Sequence, residues 1–112
     1  MKKSTIIISS DTMGRGEEEL GKVLIKAFIH SLTELPTPPQ SVIFLNSGAF
    51  LTAETSNTIA DLKTLESQGA EILTCGTCVN YYELQDKLAI GAITNMYEIA
   101  TRMATAENLI NI

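Results

Sequence analysis

The sequence predicts a three-layer α/β domain built on a five-stranded, mostly parallel sheet. Segments that read as strands alternate strictly with segments that read as helices, and short connections between them favour parallel strands joined by right-handed crossovers. The strand segments are short runs rich in Ile, Val and Leu, as expected for strands buried in the sheet. Finally, 112 residues, 45% of them apolar and 19% charged, suit one domain with one core and not two.

The first strand is expected within Lys3–Ser10, an Ile- and Thr-rich stretch that ends in Ser9-Ser10-Asp11. After the turn Met13-Gly14-Arg15-Gly16, a helix is expected over Glu17–Leu35. Leu20, Val23, Leu24, Ala27, Phe28 and Leu32 form its apolar stripe. Glu17, Glu18 and Glu19 suit the positive end of its dipole, and Pro36, Pro38 and Pro39 stop it.

Val42–Leu45 reads as the second strand and Asn46-Ser47-Gly48 as the turn after it. A helix from about Thr55 or Ser56 carries Ile59, Leu62 and Leu65 inward and ends at Gly69. Glu71–Thr74 is the third strand and runs into Cys75-Gly76-Thr77-Cys78, with a helix from Cys78 to about Leu88. Ala92–Thr94 is a short fourth strand. Asn95 and Glu98 then form a capping-box pattern, opening a helix with Met96, Ile99, Ala100 and Met103 at helical spacing. Leu109–Ile112 closes the chain as the fifth strand.

Eight basic residues against thirteen acidic ones give a formal charge of −5. That sign argues against a nucleic-acid partner, which would require clustered Lys and Arg. No apolar run approaches the ~20 residues of a membrane helix. The basic start Met1-Lys2-Lys3 is not followed by the apolar core of a signal peptide, so a cytoplasmic location is expected. In that compartment paired cysteines serve chemistry or metal binding more often than stapling.

The loops that leave the C-terminal ends of parallel strands share one edge, where ligands usually bind. Cys75 and Cys78 belong to that edge. With Thr77 as N-cap, Cys78 falls in the first turn of its helix, where dipole and free amides favour a thiolate. A thiolate attacks sulfur, so Cys78 is expected as a sulfur acceptor and Cys75 as a resolving thiol. Three other readings stay open. The cysteines could be small buried hydrophobes, ligands of a zinc shared between subunits, or a thioredoxin-type redox pair. Structural zinc needs four ligands, and the chain adds only His30, mid-helix. Thioredoxin-type motifs usually follow an earlier strand. Ser10, Asp11, Asn46, Gly48 and Thr77 are the candidates for substrate contact, although caps and turns are the commoner use of such residues. Tyr81, Tyr82 and Tyr97 read as packing or interface residues. No cofactor and no metal is required by any of these residues.

Ser9–Gly16 followed by Glu19-Leu20-Gly21-Lys22, then Leu45–Gly48 and Cys75–Cys78, together resemble the DsrE/DsrF-like family. The resemblance spans residues 1–112 as one DsrE-like domain and is greatest to the C-terminal domain of YedF-type proteins, described as sulfurtransferase-like proteins of selenium metabolism. It implies a five-stranded parallel sheet, homo-oligomers, and sulfur carried as a cysteine persulfide and handed to a partner protein. By position Cys78 is then the acceptor and Cys75 the second cysteine. YedF-type proteins often carry a TusA-like domain, which makes a TusA-like protein the natural donor or acceptor. Many family members follow the cysteine with Ala-Arg-Gly, whereas this chain has Asn80-Tyr81-Tyr82-Glu83-Leu84. The function expected is relay of sulfane sulfur, or of selenium. The alternative is a non-catalytic oligomeric binding module whose cysteines are structural or vestigial. The mean hydropathy of +0.14 agrees with some apolar surface going into a subunit interface.

Overall fold

Five short β-branched or apolar runs make one sheet, and every pairing in it is parallel. The computed structural model describes residues 3–112; Met1 and Lys2, part of the basic start, lie outside the described residues. The strands are β1 (Ser4–Ile8), β2 (Ser41–Phe44), β3 (Glu71–Cys75), β4 (Ala92–Thr94) and β5 (Asn108–Asn111). Their order across the sheet is β4-β3-β2-β1-β5, so β2 is central and the two most exposed strands form the edges. The helices are α1 (Glu18–Leu32), α2 (Ile59–Ser67), α3 (Gly76–Tyr81) and α4 (Met96–Thr105), with a 3-10 helix over Asn46–Thr52. The three-layer α/β architecture expected from the sequence is present.

Alternation along the strands divides the core in two. Ile6, Ile8, Val42, Phe44 and Ile72 face α1 and α2, where they meet Ile25, Ile29, Leu32, Leu62 and Leu65. Ile7, Ile43, Leu73 and Cys75 face the other way, against Ile99 and Met103 of α4. A third cluster of Ala49, Ala53, Val79 and Leu84 joins the 3-10 helix to α3 at the C-terminal edge. Each fully buried aliphatic side chain stabilises the fold by roughly 1.5–3 kcal/mol through removal from water.

The helices differ from expectation in ways that have physical causes. On α1 the buried line is Gly21, Ile25, Ile29 and Leu32; of the expected stripe, Leu32 is buried and Phe28 packs partly against the core, whereas Leu20, Val23, Leu24 and Ala27 face outward. Leu20, Val23 and Leu24 are 56%, 64% and 42% exposed. The helix is apolar around more than half its girth, and the sheet takes the line that includes the two isoleucines. On α4 only Ile99 is fully buried; Met96 and Ala100 are exposed. Asn95 caps α4 by accepting from the Glu98 amide at 2.9 Å. The Glu98 carboxylate does not complete the capping box; it accepts from Arg102, which also forks onto Glu71 of β3.

Helix α2 starts at Ile59, later than expected, because Ser56 accepts from the Thr58 amide and Thr58 donates to Leu51, holding the preceding turn. It ends as expected at Gly69, whose φ of +104° and amide bond to Glu66 accompany an Ala70-to-Leu65 bond, a Schellman ending. Helix α3 begins at Gly76 with Cys75 as N-cap, not Thr77, and stops at Tyr81 rather than Leu88. Glu83 takes a left-handed φ of +56°. The amides of Glu83 and Leu84 bond back to Asn80 and Val79, and Leu84 drops into the third core cluster. Burial of Leu84 offsets a conformation that costs a non-glycine residue about 1–2 kcal/mol.

Candidate functional site

Parallel register sets the site. Phe44 pairs with Thr74, so the residues that follow each strand, Leu45-Asn46 and Cys75–Cys78, leave the sheet side by side. Beneath them Thr52 donates to Ala49 and receives a hydrogen bond from Thr74 at 2.9 Å, pinning the 3-10 helix to β3. Gly48 is buried, and the Leu45 amide donates to Ile8 at 3.0 Å, which ties the same turn to the end of β1. The turn forces Asn46 into a left-handed φ of +52°, a region that asparagine tolerates better than most residues.

The consequence is a direct contact. The Asn46 amide donates to Sγ of Cys78 at 3.0 Å, and the Asn46 side-chain oxygen accepts from the Tyr82 hydroxyl at 3.0 Å. Cys78 is half-buried and Cys75 is 1% exposed; both are free thiols. Cys78 opens into a depression of about 430 Å³ lined by Leu45, Asn46, Thr77, Cys78, Tyr81, Tyr82 and Met96. No Lys, Arg, Asp or Glu lines it among the described residues.

Cys78 is the third residue of α3, in the first turn as expected. The expectation of a favoured thiolate is corrected: desolvation by burial pushes its thiol above the ordinary value, and hydrogen bonding to and charge on Cys75 push the same way. Only the Asn46 amide acts in the opposite direction. At this site loss of water outweighs the amide.

The other expected site residues separate into two groups. Asn46 and Thr77 line the cavity with Cys78, and Thr77 is exposed. Gly48, Ser10 and Asp11 do not line it. Ser10 bonds Thr12 within its own loop, and the Asp11 amide donates to Ser47, bracing the turn that carries Asn46. Asp11 borders a separate depression of about 350 Å³ with Lys22 and Asn57. The crevice where strand order reverses, between β1 and β5, is closed by Ser9 donating twice to Ile112. His30 is exposed, bonds Asp61, and lines a different depression from the cysteines. Among the described residues no group of three or more His, Cys, Asp or Glu could hold a metal, and no helix is long and apolar enough to cross a membrane.

Leu45, Tyr81, Tyr82 and Met96 also line the site; from the sequence the two tyrosines read as packing or interface residues, and none of the four reads as a site residue. For Tyr82 a signal existed: it follows Cys78 by four positions, which places both on one face of a helical turn.

Neither a scan against protein-family models nor a search of curated proteins finds a match for this chain. Solved structures do match. The crystal structure of the ychN protein from E. coli superposes with a TM-score of 0.74 at 15% identity, over 100% of both chains. MTH1491 from Methanobacterium thermoautotrophicum, a protein of unknown function, gives 0.74 at 16% identity, again over 100% of both chains. The five-stranded parallel sheet with flanking helices is common to the chain and to these two structures.

Proposed function

We propose that the chain is a carrier of sulfane sulfur, held as a persulfide on Cys78, or of selenium, held there as the corresponding S–SeH group, which it relays to a partner protein. One observation carries the reading: Cys78 Sγ lies in an open, apolar cavity with the Asn46 amide aimed at it. In the loading step the Cys78 thiolate attacks the terminal sulfur of a donor persulfide, R–S–SH. A sulfur–sulfur bond forms to Cys78, the donor bond breaks, and R–S⁻ leaves and takes a proton. The Asn46 amide supports negative charge on Sγ in the attack and again when an acceptor thiol removes the outer sulfur. Cys75, buried beside it, either attacks Cys78 Sγ, forming the Cys75–Cys78 disulfide while the outer sulfur leaves as hydrosulfide, or shields the persulfide.

A YedF-type role, with a TusA-like protein as donor or acceptor, is the finer form of this proposal and rests on the sequence resemblance. Homo-oligomerisation belongs to it as well, and the exposed α1 line of Leu20, Val23 and Leu24 is the surface assigned to a second copy. That same line favours the second reading, a non-catalytic assembly module with structural cysteines.

Intact mass after incubation with a persulfide donor tests the proposal on wild type, Cys75→Ser and Cys78→Ser. A gain of about 32 Da, one sulfur atom, is expected on wild type and Cys75→Ser and not on Cys78→Ser. An equal gain on Cys78→Ser removes that residue from the role. No gain on any form turns the reading to the assembly module.

A further inference from the structure

We propose that Tyr82 is a positioning residue for the chemistry of Cys78: its hydroxyl holds Asn46 in the conformation that directs the Asn46 amide at Sγ. The inference rests on Cys78 as the thiol that carries sulfur.

Three hydrogen bonds form a closed ring. The Tyr82 amide bonds the Cys78 carbonyl at 3.0 Å, which fixes one helical turn between the two residues. The Tyr82 hydroxyl bonds Asn46 Oδ1, and the Asn46 amide bonds Cys78 Sγ. The Tyr82 ring is held in turn by Phe50, with centroids 4.5 Å apart, and by the edge of Tyr81 at 5.1 Å. Phe50 and Asn46 belong to the same 3-10 helix, so one tyrosine grips that element at both its start and its middle.

Asn46 is exposed and sits at a left-handed φ, a conformation that an asparagine leaves at little cost. The peptide ahead of Asn46 is held at its carbonyl by the Gly48 amide at 3.0 Å; the bond on Oδ1 holds its Asn46 end, and without that bond the N–H is less firmly directed at sulfur. The phenol supplies that bond from the same helix that supplies the thiol. The titratable groups facing Cys78 are Cys75 from β3 and the phenols of Tyr81 and Tyr82, with no carboxylate or cation in the cavity lining. The Asn46 amide is thus the principal group favouring negative charge on Sγ, and its orientation governs reactivity.

The experiment measures the rate of iodoacetamide alkylation of Cys78 against pH, read by peptide mass, in the full chain and three variants. Tyr82→Phe keeps the ring and its stacking while removing the hydroxyl. Asn46→Gly keeps the left-handed backbone while removing Oδ1. Each is expected to slow alkylation at neutral pH about two- to tenfold, the range that corresponds to one hydrogen bond, and to move the profile to higher pH. The double variant is expected to match the single ones, because both substitutions cut the same link. Superposition of the Tyr82→Phe profile on wild type, or full additivity in the double variant, overturns the inference. Alkylation reads the thiol and not its cargo. A wild type that takes up no sulfur, yet shows the Tyr82→Phe shift, overturns the carrier role and leaves Tyr82 as the positioning residue.

Discussion

Gly48 packs so closely against the end of β1 that a β-carbon on it would overlap the carbonyl oxygen of Ile8. The clash is with backbone, which cannot swing aside as a flexible side chain would. Gly48→Ala is therefore expected to destabilise the fold by about 1–3 kcal/mol, the usual cost of overpacking, as read by urea denaturation. Because Gly48 shares its turn with Asn46, the alkylation rate of Cys78 is also expected to change. An unaltered rate in a folded Gly48→Ala protein would show that the turn moves as a unit.

The alkaline behaviour of Cys78 follows from its surroundings. Burial, then Cys75, raise its thiol above the ordinary value against the pull of the Asn46 amide. Alkylation at neutral pH is expected to be slower than for an unfolded Cys78, with a midpoint above that of a free thiol. Cys75→Ala removes a raising influence, so the midpoint should fall. For stability, the group has a higher value folded than unfolded. Its contribution is present in full below the unfolded value and is lost as pH rises through the folded one. Thermal scans above the ordinary thiol range should show that decline, and it should be missing in Cys78→Ser.

The strands were readable in this chain because both faces of a parallel sheet are buried, which leaves continuous runs such as Ile6–Ile8 and Val42–Phe44. The inward face of α1 was not. Leu20-Val23-Leu24 and Ile25-Ile29-Leu32 make two stripes of comparable apolarity, and only the sheet decides between them. The early end of α3 was hidden for a related reason: Glu83 has no local preference for a left-handed turn, and what holds it there is Leu84 in a distant cluster. The cysteines could be placed at the functional edge from strand order alone. That Asn46 touches Cys78 while Ser10 and Asp11 do not depends on register, Phe44 against Thr74, which no single segment carries.

The absence of charge in the cavity lining, among the described residues, bears on the donor. A dianion such as thiosulfate finds no counter-charge beside Cys78, and its desolvation there is uncompensated. Intact mass is expected to show sulfur taken from a persulfide donor and none from thiosulfate at equal concentration. Met96→Arg places a cation at the rim, since Met96 is 56% exposed. That variant should lower the alkylation midpoint of Cys78. Equal loading of wild type by thiosulfate would show that charge does not select the donor.

The α1 surface makes a separate prediction. Val23 is 64% exposed between Leu20 and Leu24, and Val23→Glu would put a charge at the centre of that line. If copies of the chain meet there, light scattering should show an oligomer in wild type and a smaller species in the variant, with the far-UV spectrum unchanged. An oligomer of the same mass in both would move the interface elsewhere.

Cys75 is 1% exposed at the end of a central strand pair, under Cys78 and against Ile99 of α4. A reagent in solution reaches it only when β3 and α4 part, so its slow labelling counts openings of the sheet. The protein carries its own gauge of breathing. One thiol reports what the surface meets, and the other, three residues away, records how often the interior is lent to water.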